Sequence, residues 1–158
     1  MGNAVIKIHN QYYKKDKDIK NLLMYISGES KTKEKVRYCG CRGLPKKPEK
    51  ATEKIIQIQK LYNKDNRRRV YQIMVSFPEV MKDVNCVKII VENIAAMIYE
   101  GYQVYYGIHE DTENLHIHYA INAVSYKDGR KWHKNKKEFY EMQKEIMECI
   151  QEIYSNYC

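Results

Sequence analysis

The chain has 158 residues, 44% of them hydrophobic, which is enough for one domain with a modest core, expected over residues 1–158. Lysine and arginine total 28 against 20 acidic residues, and the formal net charge of +8 favours an anionic partner such as nucleic acid. No apolar run approaches the roughly 18 residues of a membrane span, the N-terminus lacks the apolar core of a signal peptide, and the five scattered cysteines are typical of reduced thiols, so we expect a cytoplasmic protein without a membrane segment.

Strands and helices alternate along the first half of the chain. The pattern predicts a strand, a helix capped by Asp16 or Asp18, a mobile basic excursion and a second helix, over residues 4–9, 16–26, 28–51 and from Thr52 onward. The second half predicts a strand, a long amphipathic helix and a hairpin over residues 67–77, 82–100 and 102–124. A C-terminal helix follows, marked by the apolar residues Phe139, Met142, Ile146, Ile150 and Ile153. The mixture of helices with an antiparallel hairpin predicts an α+β fold, a sheet with helices on one face.

Three of the five histidines lie in the predicted hairpin. Side chains alternate along a strand, so His116 and His118 share one face while their apolar neighbours take the other. The simplest hairpin, with residues 111–114 as its loop, places His109 opposite His116 and Gly107 opposite His118. Directly opposed residues have Cβ atoms about 4.5–5.5 Å apart, so the three imidazoles can converge on one point.

These imidazoles favour a metal site over a structural role. Packed together without a metal, they would repel one another when protonated. Three neutral imidazoles leave coordination positions open, which suits a catalytic ion better than a closed structural site. By ligand softness they suit Zn, Mn, Fe or Ni, whereas Mg prefers oxygen.

The histidine pattern resembles the motif of plasmid mobilisation relaxases. His109, His116 and His118, with Asn122 after them, match the histidine motif of these enzymes, which belong to the HUH superfamily of single-strand nucleases. The similarity extends over most of the chain: residues 19–26 resemble the tyrosine-bearing helix of the family, residues 70–79 its second strand, and residues 126–140 its basic segment and following helix.

The resemblance implies an HUH-nuclease architecture, ferredoxin-like or palm-type, with a three-histidine metal site on the open face of an antiparallel sheet. It implies a metal-dependent enzyme that nicks one strand of DNA at an origin of transfer and keeps a 5′-phosphotyrosyl intermediate for rejoining. The implied cofactor is a divalent ion, Mn or Mg first, with Zn, Ni or Co as alternatives. The implied partners are single-stranded DNA and accessory mobilisation proteins.

Tyr25 matches the nucleophile of the family by its place on the first helix. On a helical wheel it lies about 110° from the centre of the apolar stripe, so it can reach over the sheet without being locked in the core. The alternative is a packing tyrosine at the edge of that stripe. Tyr12 and Tyr13 can instead stack on bases.

Two features depart from the family pattern. Some relatives carry an acidic residue on the second strand, where this chain has Gln72, which can hydrogen-bond but cannot accept a proton. Gln72 and Asn122 are therefore supporting candidates, and the general base is left open. Relaxases usually continue into a further domain, so we expect either an isolated nuclease domain or a small member.

Basic segments predict contacts with the DNA backbone, which set affinity and its salt dependence. Any one run can also be a solvated surface, and Trp132 is either a core residue or a stacking platform. The candidate DNA contacts are Lys31, Arg67, Arg68, Arg69, Arg130, Lys131, Trp132 and Lys134.

Two other functions compete with the relaxase hypothesis. A rolling-circle replication initiator of the same superfamily would use a tyrosine on a later helix, and Tyr140 occupies such a place. A non-enzymatic nucleic-acid binder would hold zinc structurally through the histidines and unfold when the metal is removed.

Overall fold

The structure is a computed structural model that describes residues 3–31 and 34–158. The helices and strands of these residues follow in the order β1 (Val5–Ile8), α1 (Asp16–Ser27), β2 (Lys35–Arg42), α2 (Pro48–Leu61), β3 (Val70–Ser76), α3 (Val84–Ile98), β4 (Val104–Glu110), β5 (Leu115–Asn122) and α4 (Lys136–Tyr157). The α+β class is confirmed, and the ends of the predicted elements outside residues 28–51 shift by only a few residues.

The strands form one antiparallel sheet in the order β1-β3-β5-β4-β2. The β4–β5 hairpin pairs His109 with His116 and Gly107 with His118. The predicted register is therefore confirmed. It is enforced by the period of two along a strand, because a slip by one residue would move every apolar side chain of the hairpin to the wrong face.

Each face of the sheet has its own core. On one face, α3 and α4 pack against apolar residues of β3, β4 and β5, including Val75, Ile108 and Ile117. On the other face, Ile19, Leu23 and Ile26 of α1 and residues of α2 pack against Val70, Tyr105 and Ala120. The expectation of helices on one face was wrong in this respect, since α1 and α2 cover part of the histidine face. None of the helices among residues 3–31 and 34–158 has the length and apolarity to span a bilayer.

Residues 28–51 do not form a mobile excursion. They contain the edge strand β2, paired with β4, and the start of α2, which begins at Pro48 and not at Thr52. A carboxylate on α3 fastens this edge strand, because Glu92 accepts a hydrogen bond from the Tyr38 hydroxyl at 2.6 Å and pairs with Arg42 at 3.1 Å. The part of the prediction that concerns Thr32 and Lys33 lies outside the described residues.

One pair of cysteines is bonded. Cys86 at the start of α3 and Cys158 at the end of α4 form a disulfide across a Cα separation of 5.7 Å. The expectation of five free thiols was wrong for this pair, and it holds for Cys39, Cys41 and Cys149. The link ties the last residue of the chain to the helix that packs beside α4.

Candidate active site

The three hairpin histidines form a buried cluster. His109, His116 and His118 are 0%, 6% and 2% exposed. Their ring centres are 4.5 Å apart for His109 and His118, 5.2 Å for His116 and His118, and 6.3 Å for His109 and His116. The hairpin register brings the three rings together, as predicted, but on a face that α1 partly covers and not on an open one.

Two of the rings are oriented by hydrogen bonds on their outer sides. His109 Nε2 donates a hydrogen bond at 3.0 Å to the Ile26 carbonyl oxygen at the end of α1. His118 Nδ1 lies 3.0 Å from Gln72 Oε1, the side chain proposed as a support from its place on the second strand. In the neutral rings, these bonds leave His109 Nδ1 and His118 Nε2 as lone-pair donors that face the centre of the cluster.

Gln72 is itself held by a buried tyrosine. The Gln72 amide nitrogen donates to the Tyr13 hydroxyl at 2.6 Å, which fixes the orientation of the amide and directs its oxygen at His118. Tyr13 is 5% exposed, so it acts inside the protein, and the expectation that it stacks on bases was wrong. A chain of two side chains, Tyr13 and Gln72, therefore orients His118.

The structure adds one carboxylate to the cluster that sequence reasoning missed. Glu34 Oε2 lies 2.8 Å from His109 Nδ1, 2.9 Å from His116 Nε2 and 3.5 Å from His118 Nε2. Glu34 comes between α1 and β2, in the segment interpreted as a basic excursion. The only signal was an acidic residue within a lysine-rich stretch, which by itself is typical of a solvated surface.

Tyr25 joins the cluster from α1. Its hydroxyl donates to Glu34 Oε2 at 2.9 Å and lies 3.4 Å from His118 Nε2. Its ring centre is 4.9 Å from that of His109 and 5.2 Å from that of His118. Tyr25 lies at the edge of the apolar stripe of α1, and its phenol oxygen therefore lies among the three histidines and Glu34.

The charges in the cluster are strongly coupled. Burial opposes ionisation of Glu34, but hydrogen bonds with His116, His109 and Tyr25 outweigh it and lower its pKa to about 2. Burial, together with the neighbouring His109 and His116, lowers the pKa of His118 to about 3. Burial, then the hydrogen bond and charge of Glu34, raise the pKa of Tyr25 well above its usual value. The phenol is therefore protonated at rest, and a nearby proton acceptor is needed before it can attack.

The donor set fits a divalent metal ion. Ligand atoms of Glu34, His109 and His118 all lie within 4.8 Å of one another. Two acceptors face each other where the His109 lone pair meets the Glu34 oxygen, so a proton or a metal cation has to lie between them. Imidazole with one carboxylate suits Mn, Fe, Zn or Ni.

The sequence matches the family model described as "Relaxase: MobA/VirD2-like, nuclease domain" over residues 25–154. The chain belongs to the relaxase family. Membership implies an enzyme that nicks DNA and binds single-stranded DNA, and nuclease domains of this family generally require a metal ion. No curated protein matches the sequence significantly.

A solved structure supports the fold of this relaxase. It is described as "Molecular Basis of Vancomycin Resistance Transfer in Staphylococcus aureus", and the similarity has a TM-score of 0.68 over 98% of this chain and 93% of that chain. The sequence identity is 14%, so the comparison concerns the fold alone. The two chains share the arrangement of the sheet and its helices.

Asn122 of the relaxase does not support the histidines. It is fully buried toward the far end of β5, where its side chain accepts from Gln59 Nε2 at 2.9 Å and donates to Gln103 Oε1 at 2.9 Å. The prediction of a role beside the metal was wrong, because four residues along a strand span about 13 Å. Asn122 instead links β5 to α2 and to the start of β4.

The predicted DNA contacts of the relaxase divide into buried and accessible residues. Arg69 is 4% exposed and is held by Gln59 at 2.8 Å and by Asp16 at 2.7 Å, so it is not available to DNA, and that prediction was wrong. Trp132 is 9% exposed and packs in the core against Tyr71. The others reach the surface at least in part: Lys31, Arg67, Arg68, Arg130, Lys131 and Lys134.

Proposed function

We propose that this relaxase cuts single-stranded DNA at an origin of transfer by metal-dependent transesterification, with Tyr25 as the nucleophile. The observation that supports this proposal best is the position of the Tyr25 hydroxyl, 2.9 Å from Glu34 Oε2 and 3.4 Å from His118 Nε2. A tyrosine placed only for packing would not have its oxygen among three histidines and a carboxylate.

The reaction exchanges one phosphodiester bond for another. Tyr25 Oη attacks the scissile phosphorus, the bond from phosphorus to the 3′ oxygen breaks, and the 5′ phosphate remains on the tyrosine. The phenol proton passes to Glu34 Oε2, its hydrogen-bond acceptor, and the departing 3′ oxygen takes a proton from solvent. The bond energy is kept in the phosphotyrosyl link, so the reverse reaction can rejoin the strand.

The metal would be held by His109, His118 and Glu34, with His116 completing the set. All three histidines have a nitrogen within 3.5 Å of the same Glu34 oxygen, so small movements of that carboxylate open a central position. When bound, a divalent ion supplies electrophilic stabilisation of the charge that develops on the scissile phosphate. The His109 bond to Ile26 and the His118 bond to Gln72 place a ring proton on the outward nitrogen, which directs the inward nitrogens at the metal position.

Formation of a covalent adduct tests the proposal. The protein is incubated with Mn²⁺ and single-stranded oligonucleotides with random cores, and protein carrying DNA is detected on a denaturing gel. The wild type is expected to form an adduct that is absent in Tyr25→Phe and retained in Tyr140→Phe. An adduct that survives Tyr25→Phe would contradict the assignment of the nucleophile.

The rolling-circle alternative has little geometric support. Tyr140 is 67% exposed on α4, and α4 packs on the sheet face opposite the histidines. For Tyr140 to reach the cluster, the helix would have to leave its core. Loss of the adduct in Tyr140→Phe alone would nevertheless favour that alternative.

A further inference from the structure

A second charged surface lies away from the histidine cluster. It is a groove of about 540 Å³ between the segment that follows β1, the start of β3 and the start of α4. We call it the aromatic groove, and its lining includes six basic side chains and no aspartate or glutamate. The basic lining residues are Arg67, Arg68, Lys131, His133, Lys134 and Lys136.

Aromatic rings are interleaved with these cations. The Arg68 guanidinium lies 4.8 Å from the ring centre of Tyr12 and 4.3 Å from that of Tyr71, and Tyr71 packs against Trp132 at 4.2 Å. Tyr12 is 49% exposed, although large aromatic rings usually bury most of their surface. Among the described residues, Arg68 Nε has no hydrogen-bond partner.

The cations of the aromatic groove are crowded together without a compensating acid. Burial, followed by the positive charges of Arg67 and Lys64, lowers the pKa of Lys131. Among the described residues, Lys131 Nζ donates hydrogen bonds to the carbonyl oxygens of Asn66, at 2.6 Å, and Arg68, at 3.1 Å. An anion in the groove would relieve this repulsion, because opposite charges attract more strongly where water is partly excluded.

The aromatic groove and the histidine cluster lie on opposite faces of the sheet, but residues that border the groove are adjacent in sequence to residues that support the cluster. Tyr71 faces Trp132 in the groove, whereas its neighbour Gln72 contacts His118 on the other face. In the same way, Tyr12 borders the groove while its neighbour Tyr13 contacts Gln72. A DNA strand that left the histidine cluster and passed around the segment after β1 would therefore enter the aromatic groove.

We propose that the aromatic groove binds a further stretch of the same single DNA strand, outside the nucleotides that are cut. The inference rests on the proposed function, since it takes single-stranded DNA as the substrate. Unstacked bases lie on Tyr12, and the phosphates contact Arg67, Lys134 and Lys136. Aromatic rings beside cations are the combination that holds a single strand, whereas an acidic peptide needs no rings and duplex DNA keeps its bases stacked.

Two variants separate stacking from charge. Tyr12→Ala removes an exposed ring, whereas Tyr12→Phe keeps the ring and removes only the hydroxyl. The double variant Lys134→Glu/Lys136→Glu reverses two exposed charges of the groove. The matched control is Lys54→Glu/Lys144→Glu, which makes the same change in net charge at exposed sites on α2 and α4 outside the groove. Circular dichroism melts check that every variant is folded.

Binding is measured by fluorescence anisotropy with a labelled random-core single strand, in a Tyr25→Phe background so that no covalent link forms. Tyr12→Ala is expected to raise the Kd about tenfold and Tyr12→Phe to leave it unchanged. The groove double variant is expected to reduce the slope of log K against log salt by about 1.4, corresponding to two phosphate contacts on a single strand. The same variants should change duplex binding much less.

The outcomes distinguish this inference from the proposed function. If Tyr12→Ala binds like Tyr12→Phe, or if both double variants weaken binding equally, the groove is not a DNA site, even when the wild type still forms its adduct. If the groove variants lose binding as expected but wild-type Tyr25 forms no adduct, the groove stands and the nicking proposal fails. Equal losses on duplex and single strand would also overturn the inference.

Discussion

The Tyr25 hydroxyl donates a hydrogen bond to Glu34 Oε2 at 2.9 Å, across the gap between α1 and the segment before β2. The same carboxylate oxygen faces nitrogens of all three histidines. Glu34 thus connects the candidate nucleophile to the candidate metal ligands. In the proposed mechanism it is also the proton acceptor, in a chain whose second strand carries Gln72 in place of an acid.

Glu34→Gln should impair the reaction more than the fold. The amide keeps the size of the side chain but loses the charge and the ability to accept the phenol proton. We expect the rate of adduct formation to fall by about 10²- to 10⁴-fold and Mn²⁺ binding, measured by calorimetry, to weaken. Glu29→Gln is the control, because Glu29 is exposed in the same segment. Equal rates of adduct formation for the two variants would show that Glu34 takes no part in the reaction.

Tyr13→Phe should weaken metal binding without touching a ligand. Loss of the hydroxyl leaves the Gln72 amide nitrogen without its 2.6 Å partner, so the amide is free to turn and His118 loses its fixed orientation. We expect the Kd for Mn²⁺ to rise about tenfold. Tyr12→Phe, at the adjacent exposed position, should leave that Kd unchanged. A normal Kd in folded Tyr13→Phe would show that Gln72 orients His118 without Tyr13.

Gly107→Ala should displace α1 from the sheet. A Cβ at Gly107 would lie 2.6 Å from the Ile26 carbonyl oxygen, and that carbonyl also accepts the bond from His109. We expect a loss of about 1–3 kcal/mol in the free energy of unfolding and loss of adduct formation, since Tyr25 moves with the helix. Gly101→Ala is the control, because a Cβ there meets nothing within 4 Å. Urea unfolding and the adduct assay measure the two effects, and an active, fully stable Gly107→Ala would refute this packing argument.

Removing the metal should leave the protein folded. The two cores on either side of the sheet are built from apolar side chains, so the fold does not depend on an ion. In a melting curve with a chelator we expect one cooperative transition, lowered by roughly 2–8 °C relative to the Mn²⁺-loaded protein. Unfolding on addition of the chelator would instead support the zinc-structured binder.

The sequence predicted the hairpin register and the convergence of the histidines because, in both strands, the apolar residues alternate onto the same face of the sheet. With His109, Gly107 and Tyr105 on one side and the apolar residues on the other, only one register satisfies both strands. Tyr25 and Gln72 were proposed from the resemblance to the relaxase family, and for Tyr25 the helical wheel gave independent support. The information for the hairpin was local and periodic, whereas the roles of these two residues came from the family pattern.

Glu34, Tyr13 and Arg69 could not be assigned in this way. Glu34 lies in neither a helix nor a strand, so no period predicts the direction of its side chain, and Tyr13 faces inward from a left-handed backbone conformation, with φ of 54°. Arg69 belongs to a run of three arginines that resembles one basic surface, but Gln59 of α2 and Asp16 of α1 enclose it. These placements depend on tertiary contacts that no period in the sequence encodes.

The most direct test of the central claim is to identify the amino acid that carries DNA. The adduct formed with Mn²⁺ is digested with nuclease and trypsin, and the modified peptide is sequenced by mass spectrometry. We expect a nucleotide attached through its 5′ phosphate to Tyr25. A nucleotide on Tyr140, or on any residue other than Tyr25, would contradict it.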